Sequence, residues 1–330
     1  MIQPDQPHSR LMDDACVDIV VATYNAGPWL DVFLNSLLTQ DFERWRVIIR
    51  DDCSTDGTGR TLEEWKSRLA DRFCILPDSG TRNVGVTVNF SILLSAAETQ
   101  WVMMADQDDI WLPAKISKTL HAMQEAENTL GSSTPIAICT DAEVMDTTGQ
   151  SVAPSYWRWN RMKLDRVSDV HRVAMESVAL GCTMMVNRAL LQLALPIDER
   201  APYHDWWLAM VSAAFGRLIP LNETTIRYRR HGGNVTADPY SSSAMGAVRR
   251  ILQSPRAPRL RLQRLIGEMA IQSRAFTERY RDSLRESDAT ALDSLAHLPS
   301  LGPVERRLAL FQHDLWFSSP IKNLGLLALL

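Results

Sequence analysis

Over the first 110 residues, short apolar runs that each close on a polar cluster alternate with stretches of helical periodicity. Val17–Thr23 (VDIVVAT) is a β-branched run ending in Tyr24-Asn25-Ala26-Gly27, which predicts a buried strand and a turn. Pro28 suits a first helical turn, and Trp29–Leu38 carries apolar residues at helical spacing. Trp45–Arg50 predicts a second strand running into Asp51-Asp52-Cys53-Ser54-Thr55-Asp56-Gly57, followed by a helix to about Ala70. Arg72–Leu76 predicts a third strand and Val86–Ala97 a helix. Trp101–Ala105 predicts a fourth strand that stops at Asp106-Gln107-Asp108-Asp109. This alternation predicts an α/β layer fold with a largely parallel sheet. Ligands sit outside the carboxyl ends of such strands, so three strands ending in polar clusters mark one functional edge.

Beyond residue 110 the pattern loosens. Ile136–Asp141, Cys182–Asn187 and Thr225–Arg230 read as strands, and His204–Phe215 as a helix with an aromatic start. From about residue 245 the chain is helical and rich in Arg and Leu, with breaks expected at Pro255, Pro258 and Pro303.

Composition narrows the class only a little. Of 330 residues, 45% are hydrophobic and 22% charged, as in a globular protein, and a net charge of −4 gives no case for nucleic acid. Ten arginines stand against Glu268, Glu278 and Asp282 between residues 245 and 285. That surplus fits either an anionic surface or ligand, or a solvated basic helix. Five scattered cysteines without a CxxC pair fit reduced thiols better than a disulfide framework or structural zinc. The first residues lack the apolar core of a secretory signal, and no run is long enough to span a bilayer. These features give the expectation of a cytoplasmic protein.

The acidic clusters carry the candidate chemistry. Alternate carboxylates in Asp106-Gln107-Asp108-Asp109 can face one hard cation, Mg²⁺ or Mn²⁺, that shares its shell with diphosphate oxygens; solvated loop acids show the same pattern. Asp52 at the sheet edge can accept from a nucleobase imide or a ribose hydroxyl, and Tyr24 offers a flat face for a base. Asp56 reads equally as a turn and cap residue, and Tyr24 as a half-buried strand end. In Tyr203-His204-Asp205-Trp206-Trp207, the indoles could form a sugar platform around a proton-accepting Asp205. The alternative is a helix cap whose tryptophans fill the core. His231, after Arg229 and Arg230, suits a third metal ligand, a diphosphate contact or a hydrogen-bonded surface group.

The ordered succession VATYNAGPWL, IIRDDCSTDGT, NVGVTVNFSILLSAA, ADQDDIWLPAKI, GCTMMVNRALL, YHDWWLAM and YRRHGGNVT resembles family 2 glycosyltransferases, and within them the bacterial rhamnosyltransferase group. The resemblance runs from about Val17 to Thr236. It implies a GT-A fold, inversion at the anomeric carbon, a nucleotide-sugar donor such as dTDP-L-rhamnose, and a saccharide or lipid-linked saccharide acceptor in surface glycan synthesis. It also implies an organisation: a tail over 1–16 and a catalytic domain over 17–240. Within that domain the nucleotide-sugar half extends to about 112 and the acceptor half runs from 113, with a helical C-terminal region over 241–330. Thr23, Tyr24, Asn25, Asp52, Asn83, Asp106 and Gln107 would line the donor site. Asp108, Asp106 and His231 would hold Mg²⁺ or Mn²⁺. Asp205 would be the base, with His204, Trp206 and Trp207 toward the acceptor. Residues 245–285 would touch an anionic membrane at the inner face of the cytoplasmic membrane. Two departures put the turn geometry after the second strand in question: Arg50 stands where an apolar residue is usual, and Cys53 where glycine is commoner. A third, His204, replaces the first member of a common acidic pair.

Overall fold

A computed structural model describes residues 16–78, 82–232 and 256–329. Its described strands are β1 (Val17–Thr23), β2 (Trp45–Asp51), β3 (Phe73–Ile75), β4 (Trp101–Asp106), β5 (Ile110–Trp111), β6 (Ile136–Met145), β7 (Ser151–Ala153), β8 (Met184–Asn187) and β9 (Arg217–Arg229). They form one sheet in the order β3-β2-β1-β4-β8-β6-β9-β5, with β7 added beside β6. Neighbours β2–β3, β1–β2, β1–β4 and β6–β9 are parallel, while β8 runs antiparallel between β4 and β6.

The helices before residue 200 are α1 (Trp29–Leu37), α2 (Thr58–Leu69), α3 (Val86–Ala96), α4 (Lys115–Leu130), α5 (Tyr156–Trp159), α6 (Val170–Met175) and α7 (Arg188–Ala194). After it come α8 (His204–Phe215), α9 (Arg256–Tyr280), α10 (Glu286–His297), α11 (Pro303–Gln312) and α12 (Pro320–Leu329). Both sheet faces are covered, which is why the central strands read as unbroken apolar runs. Alternate residues of β1 serve opposite faces. Ile19 and Val21 pack with Phe33, Leu34, Trp65 and Leu120 on one side. Val20 faces Phe90, Leu94, Trp207 and Phe276 on the other. That second core takes in Ile266, Leu292, Leu310 and Leu326, so the C-terminal helices complete the sheet's covering layer.

The sequence pattern locates β1, α1, β2, α3, β4 and α8 to within a residue or so. It shortens β9, because Pro220, Asn222 and Glu223 interrupt its apolar signal. It passes over α4, whose buried stripe includes the polar Lys115 and Thr119. Pro258 and Pro303 do not break helices. Both lie in first turns, where the missing N–H has no helical partner. The expected break at Pro255, the boundary at 240/241 and residues Arg249 and Arg250 lie outside the described residues.

Of the described C-terminal arginines, several are engaged within the protein. Arg264 pairs with Glu268 at 2.8 Å, Arg281 with Asp293 at 2.7 Å and Arg285 with Asp288 at 2.7 Å. Arg279 donates to the carbonyls of Leu193 and Leu195. The first and third of these pairs are local, while Arg279 and Arg281 tie the end of α9 to α7 and α10. Among the described residues, no helix is long and apolar enough to cross a membrane.

Candidate active site

Parallel register brings the carboxyl ends of β1, β2 and β4 together: Thr23 lies beside Asp51, and Ala22 beside Asp106. The turn after β1 is held by its neighbours through four successive peptide N–H groups. Tyr24 donates to Gln107 Oε1 (2.9 Å), Asn25 to Ser54 Oγ (2.7 Å), Ala26 to Thr58 Oγ1 (2.9 Å) and Gly27 to Asp56 Oδ2 (3.0 Å). Gln107 completes the pair by donating Nε2 to the Tyr24 carbonyl at 3.0 Å, so its amide serves the turn. Asn25, at φ 46°, accepts from the Thr55 N–H through Oδ1. Tyr24 itself is 49% exposed, the half-open aromatic face the sequence suggested.

The turn after β2 is saturated with hydrogen bonds. Asp51 accepts from Thr23 Oγ1 (2.8 Å) and from the Ser54 hydroxyl and N–H (2.6 and 2.9 Å). Asp56 accepts from Thr58 through both N–H and hydroxyl, and the Thr58 hydroxyl bond holds its carboxyl below the usual range. Asp52, expected at the nucleobase, is 3% exposed and directs its carboxylate at the Val84 and Gly85 N–H groups, both at 2.9 Å. These are the peptide groups that lead into α3, so Asp52 acts as a cap for that helix. Asn83 joins the cap, donating to the Asp52 carbonyl and accepting from the Gly85 N–H. The two departures in this turn are accommodated. Arg50, only 1% exposed, donates to Asn89 Oδ1 at 2.9 Å and approaches Asp52 at 3.5 Å, while Cys53 takes the left-handed φ of 66° that glycine adopts more easily.

The turn after β4 is different. Asp108 meets His231 Nε2 at 2.5 Å, and the imidazole lies 4.6 Å from the Trp29 ring. Asp109 is fully buried; one oxygen accepts from the Arg229 N–H at 2.8 Å, and Oδ2 has no hydrogen-bond partner among the described residues. Arg229 is not open to a phosphate. Its side chain is buried and donates to the carbonyls of Asp108, Asp146 and Thr147, fixing the acidic turn to the end of β9.

Burial and the neighbouring charges of Asp108 and Asp205 push the half-buried Asp106 up to about 7; burial with Asp108 and Asp106 pushes Asp109 well up. The ligand atoms of Asp106, Asp109 and Cys182 lie within 4.8 Å of one another. A cluster of crowded carboxyls with one unsatisfied buried oxygen fits a hard divalent cation, which would relieve the repulsion that now favours protonation. The Cys182 thiol, raised well above its usual value by burial, is a poor partner for such an ion.

Asp205 lies in the first turn of α8 and is half-buried. Its Oδ2 accepts from the Gly181 N–H at 2.8 Å and its Oδ1 from the Trp206 N–H at 2.7 Å. Its charge adds to the rise at Asp106, so the two carboxyls are near enough to influence each other. Trp206 and Trp207, expected as an acceptor platform, are core residues instead. Trp206 is 7% exposed and donates its indole N–H to the Val173 carbonyl, while Trp207 is fully buried and donates to the Ala194 carbonyl. Their area is committed to the packing of α8 against α6 and α7. His204, also expected at the acceptor, is 6% exposed and stacks on Phe90 with centroids 3.8 Å apart.

A model of glycosyl transferase family 2 matches residues 18–190, more than half of the chain. The chain belongs to glycosyl transferase family 2. TuaG of Bacillus subtilis, named as a glycosyltransferase of teichuronic acid biosynthesis, is 24% identical over 229 residues, 69% of this chain and 84% of that protein. WfgD of Escherichia coli, a UDP-Glc:α-D-GlcNAc-diphosphoundecaprenol β-1,3-glucosyltransferase, is 24% identical over 198 residues, 59% of this chain and 70% of that one. An uncharacterized protein of Mycobacterium tuberculosis is 26% identical over 237 residues, 68% of this chain; the match spans 62% of that relative's length. The structure of S. aureus TarS 1-349 in complex with UDP-GlcNAc is similar with a TM-score of 0.55 at 17% identity, covering 90% of this chain and 73% of that one. The fold of this family 2 member is GT-A, with added C-terminal helices.

Sequence reasoning singled out Asp205 but not the residue that holds it. Gly181 lies in the segment GCTMMVNRALL, where no side chain marks it. Its signal was the small residue itself, since a Cβ there would lie 2.7 Å from His204 Nε2. The buried role of Arg229 has no signal of its own, because a strand-end arginine looks the same in sequence whether it faces a ligand or a buried set of carbonyls.

Proposed function

We propose that this family 2 protein transfers a sugar, with inversion, from a nucleotide-sugar donor to a saccharide or lipid-linked saccharide acceptor in surface glycan synthesis. The observation that carries the reading is the clamped carboxylate of Asp205, set beside the crowded acidic turn at the carboxyl edge of the sheet. Both of its oxygens accept peptide N–H groups at a helix start, an arrangement that fixes the direction of the group proposed as the base. In the proposed reaction Asp205 takes the proton of the acceptor hydroxyl as that oxygen bonds to the anomeric carbon and the nucleoside diphosphate departs. Tyr24 offers its exposed face to the base of the donor, beside Thr23 and Asn25, while Asp52 and Asn83 shape the wall through the α3 cap. Asp106, Asp108 and His231 would hold Mg²⁺ or Mn²⁺, and a cation there supplies charge stabilisation to the leaving diphosphate.

The motif succession supports dTDP-L-rhamnose as donor. A second reading, a UDP-hexose donor, is favoured by the names of two relatives, WfgD with UDP-Glc and TarS with bound UDP-GlcNAc. Thermal stabilisation by dTDP, UDP and GDP, with and without Mn²⁺, separates them: the preferred nucleotide raises the melting temperature most. Transfer is read as nucleoside diphosphate release. Asp205→Asn is expected to lower it by about 10²–10⁴-fold while donor binding persists. Native turnover in that variant would remove the base assignment.

A further inference from the structure

We infer that His204 is a positioning residue: it acts as a flat aromatic spacer between α3 and Gly181, and so sets where the Asp205 carboxylate points. The inference rests on the reading of Asp205 as the base. It begins with an imidazole in an unusual setting. His204 is 6% exposed, and neither ring nitrogen has a hydrogen-bond partner among the described residues. Burying a polar ring without partners is unfavourable, so the ring's shape must be what the site uses. One face stacks on Phe90 at 3.8 Å with an interplanar angle of 17°. Gly181 lies against the Nε2 edge of the ring, where an added Cβ would come within 2.7 Å of Nε2, 3.3 Å of Cε1 and 3.5 Å of the Asp205 Cβ. Phe90 closes one face of the ring, which restricts how it can give way to such a methyl group.

Three pieces thus follow one another in contact: Phe90, the imidazole stacked on it, and the Gly181 backbone at the ring's Nε2 edge. The last of them donates the 2.8 Å hydrogen bond to Asp205 Oδ2. The stack is itself anchored at its far end. Phe90 lies on α3, the helix capped by Asp52 through the Val84 and Gly85 N–H groups. Thr87, one turn earlier, donates to the Pro202 carbonyl at 3.1 Å, tying α3 to the segment that leads into α8. The donor-side turn after β2 is in this way connected to the base through α3 and a single ring. An acidic residue at position 204 could not fill the role, since it has neither the thickness nor the apolar face to rest on Phe90.

The test compares His204→Ala, His204→Phe and Gly181→Ala in the full chain, reading kcat and donor KM separately alongside melting temperature. Loss of the spacer in His204→Ala, or displacement of it in Gly181→Ala, is expected to lower kcat by about 10–10²-fold through misplacement of Asp205. Donor KM should hold, because the donor-binding turns are untouched. His204→Phe keeps the flat ring and should restore kcat. The inference is overturned if His204→Phe loses as much turnover as His204→Ala, since the nitrogens would then matter, or if His204→Ala turns over at the native rate. Asp205→Asn distinguishes the two levels. Native turnover there takes down the base reading and this inference with it. An inactive Asp205→Asn beside a native-rate His204→Ala takes down the spacer alone.

Discussion

The turns after β2 and β4, the strands on either side of β1, carry the same kind of side chain, and they treat it in opposite ways. After β2, Asp51, Asp52 and Asp56 each accept from two or more donors and spread their charge over peptide N–H groups and hydroxyls. After β4, Asp106, Asp108 and Asp109 crowd one another. Two of them are pushed toward the protonated state, and one buried oxygen is left unsatisfied. A carboxylate whose lone pairs are filled by the backbone is part of the scaffold, whereas carboxylates that raise each other's pKa store a need for positive charge. Acid content alone does not tell the two apart; the supply of donors does.

The largest expected effect concerns ligand chemistry. Asp108→Ala should lower transfer by about 10²–10³-fold and abolish the extra thermal stabilisation that Mn²⁺ gives to the nucleotide complex. Asp56→Ala should keep that metal dependence. If both variants lose it equally, or neither does, the two turns do not differ in the way described.

Stability should separate them by sign. Asp52→Ala removes the α3 cap and one partner of the buried Arg50, and is expected to cost about 2–4 kcal/mol in urea unfolding. Asp106→Asn should do the reverse in metal-free protein. Its folded-state value near 7 lies above the ordinary 3.8, so the native protein binds the extra proton between about pH 4 and 7 and loses stability as pH rises through that range. The gain from Asn is therefore full above pH 7, roughly 1–3 kcal/mol, and absent below about pH 4. A destabilised Asp106→Asn at pH 8 would contradict the crowding argument.

This contrast also marks how far the sequence could be read. Strand ends and the edge on which they meet were legible, because parallel strands buried on both faces have a one-dimensional signature. Asp52 was legible as a strand-end acid but not as a helix cap, since its partners Val84 and Gly85 lie 32 and 33 residues away. Trp206 and Trp207 were ambiguous for a related reason. Aromatics flanking an acid look alike whether they face a sugar or a core, and the partners that decide, Val173 and Ala194, come from other helices.

His204, against Phe90 of the helix that Asp52 caps, offers a smaller effect through its titration. Burial pushes its imidazole down to about 4, against an ordinary 6.5. The unfolded chain therefore binds the proton first as pH falls, and stability drops between about pH 6.5 and 4. From pH 7 to pH 5 the wild type should lose about 2 kcal/mol relative to His204→Phe, which has no proton to gain. Parallel urea curves for the two proteins at both pH values measure the difference directly. Identical pH dependence would mean that the ring is reached by water.

The smallest effect tests the scaffold turn at its most exposed member. Asp56 accepts from the Thr58 hydroxyl and N–H and from the Gly27 N–H, so it links the start of α2 to the turn after β1. Replacing it by alanine removes a cap-like carboxylate in contact with solvent and should cost about 1 kcal/mol at pH 7. The Thr58 hydroxyl bond holds its carboxyl below the ordinary value. Its contribution is thus present above the unfolded value near 3.8 and fades as pH falls through the lower folded one. The wild type and Asp56→Ala should accordingly converge in stability toward strongly acidic pH. A gap that stays constant would mean that the carboxylate charge contributes nothing, and that the turn is held by its backbone geometry alone.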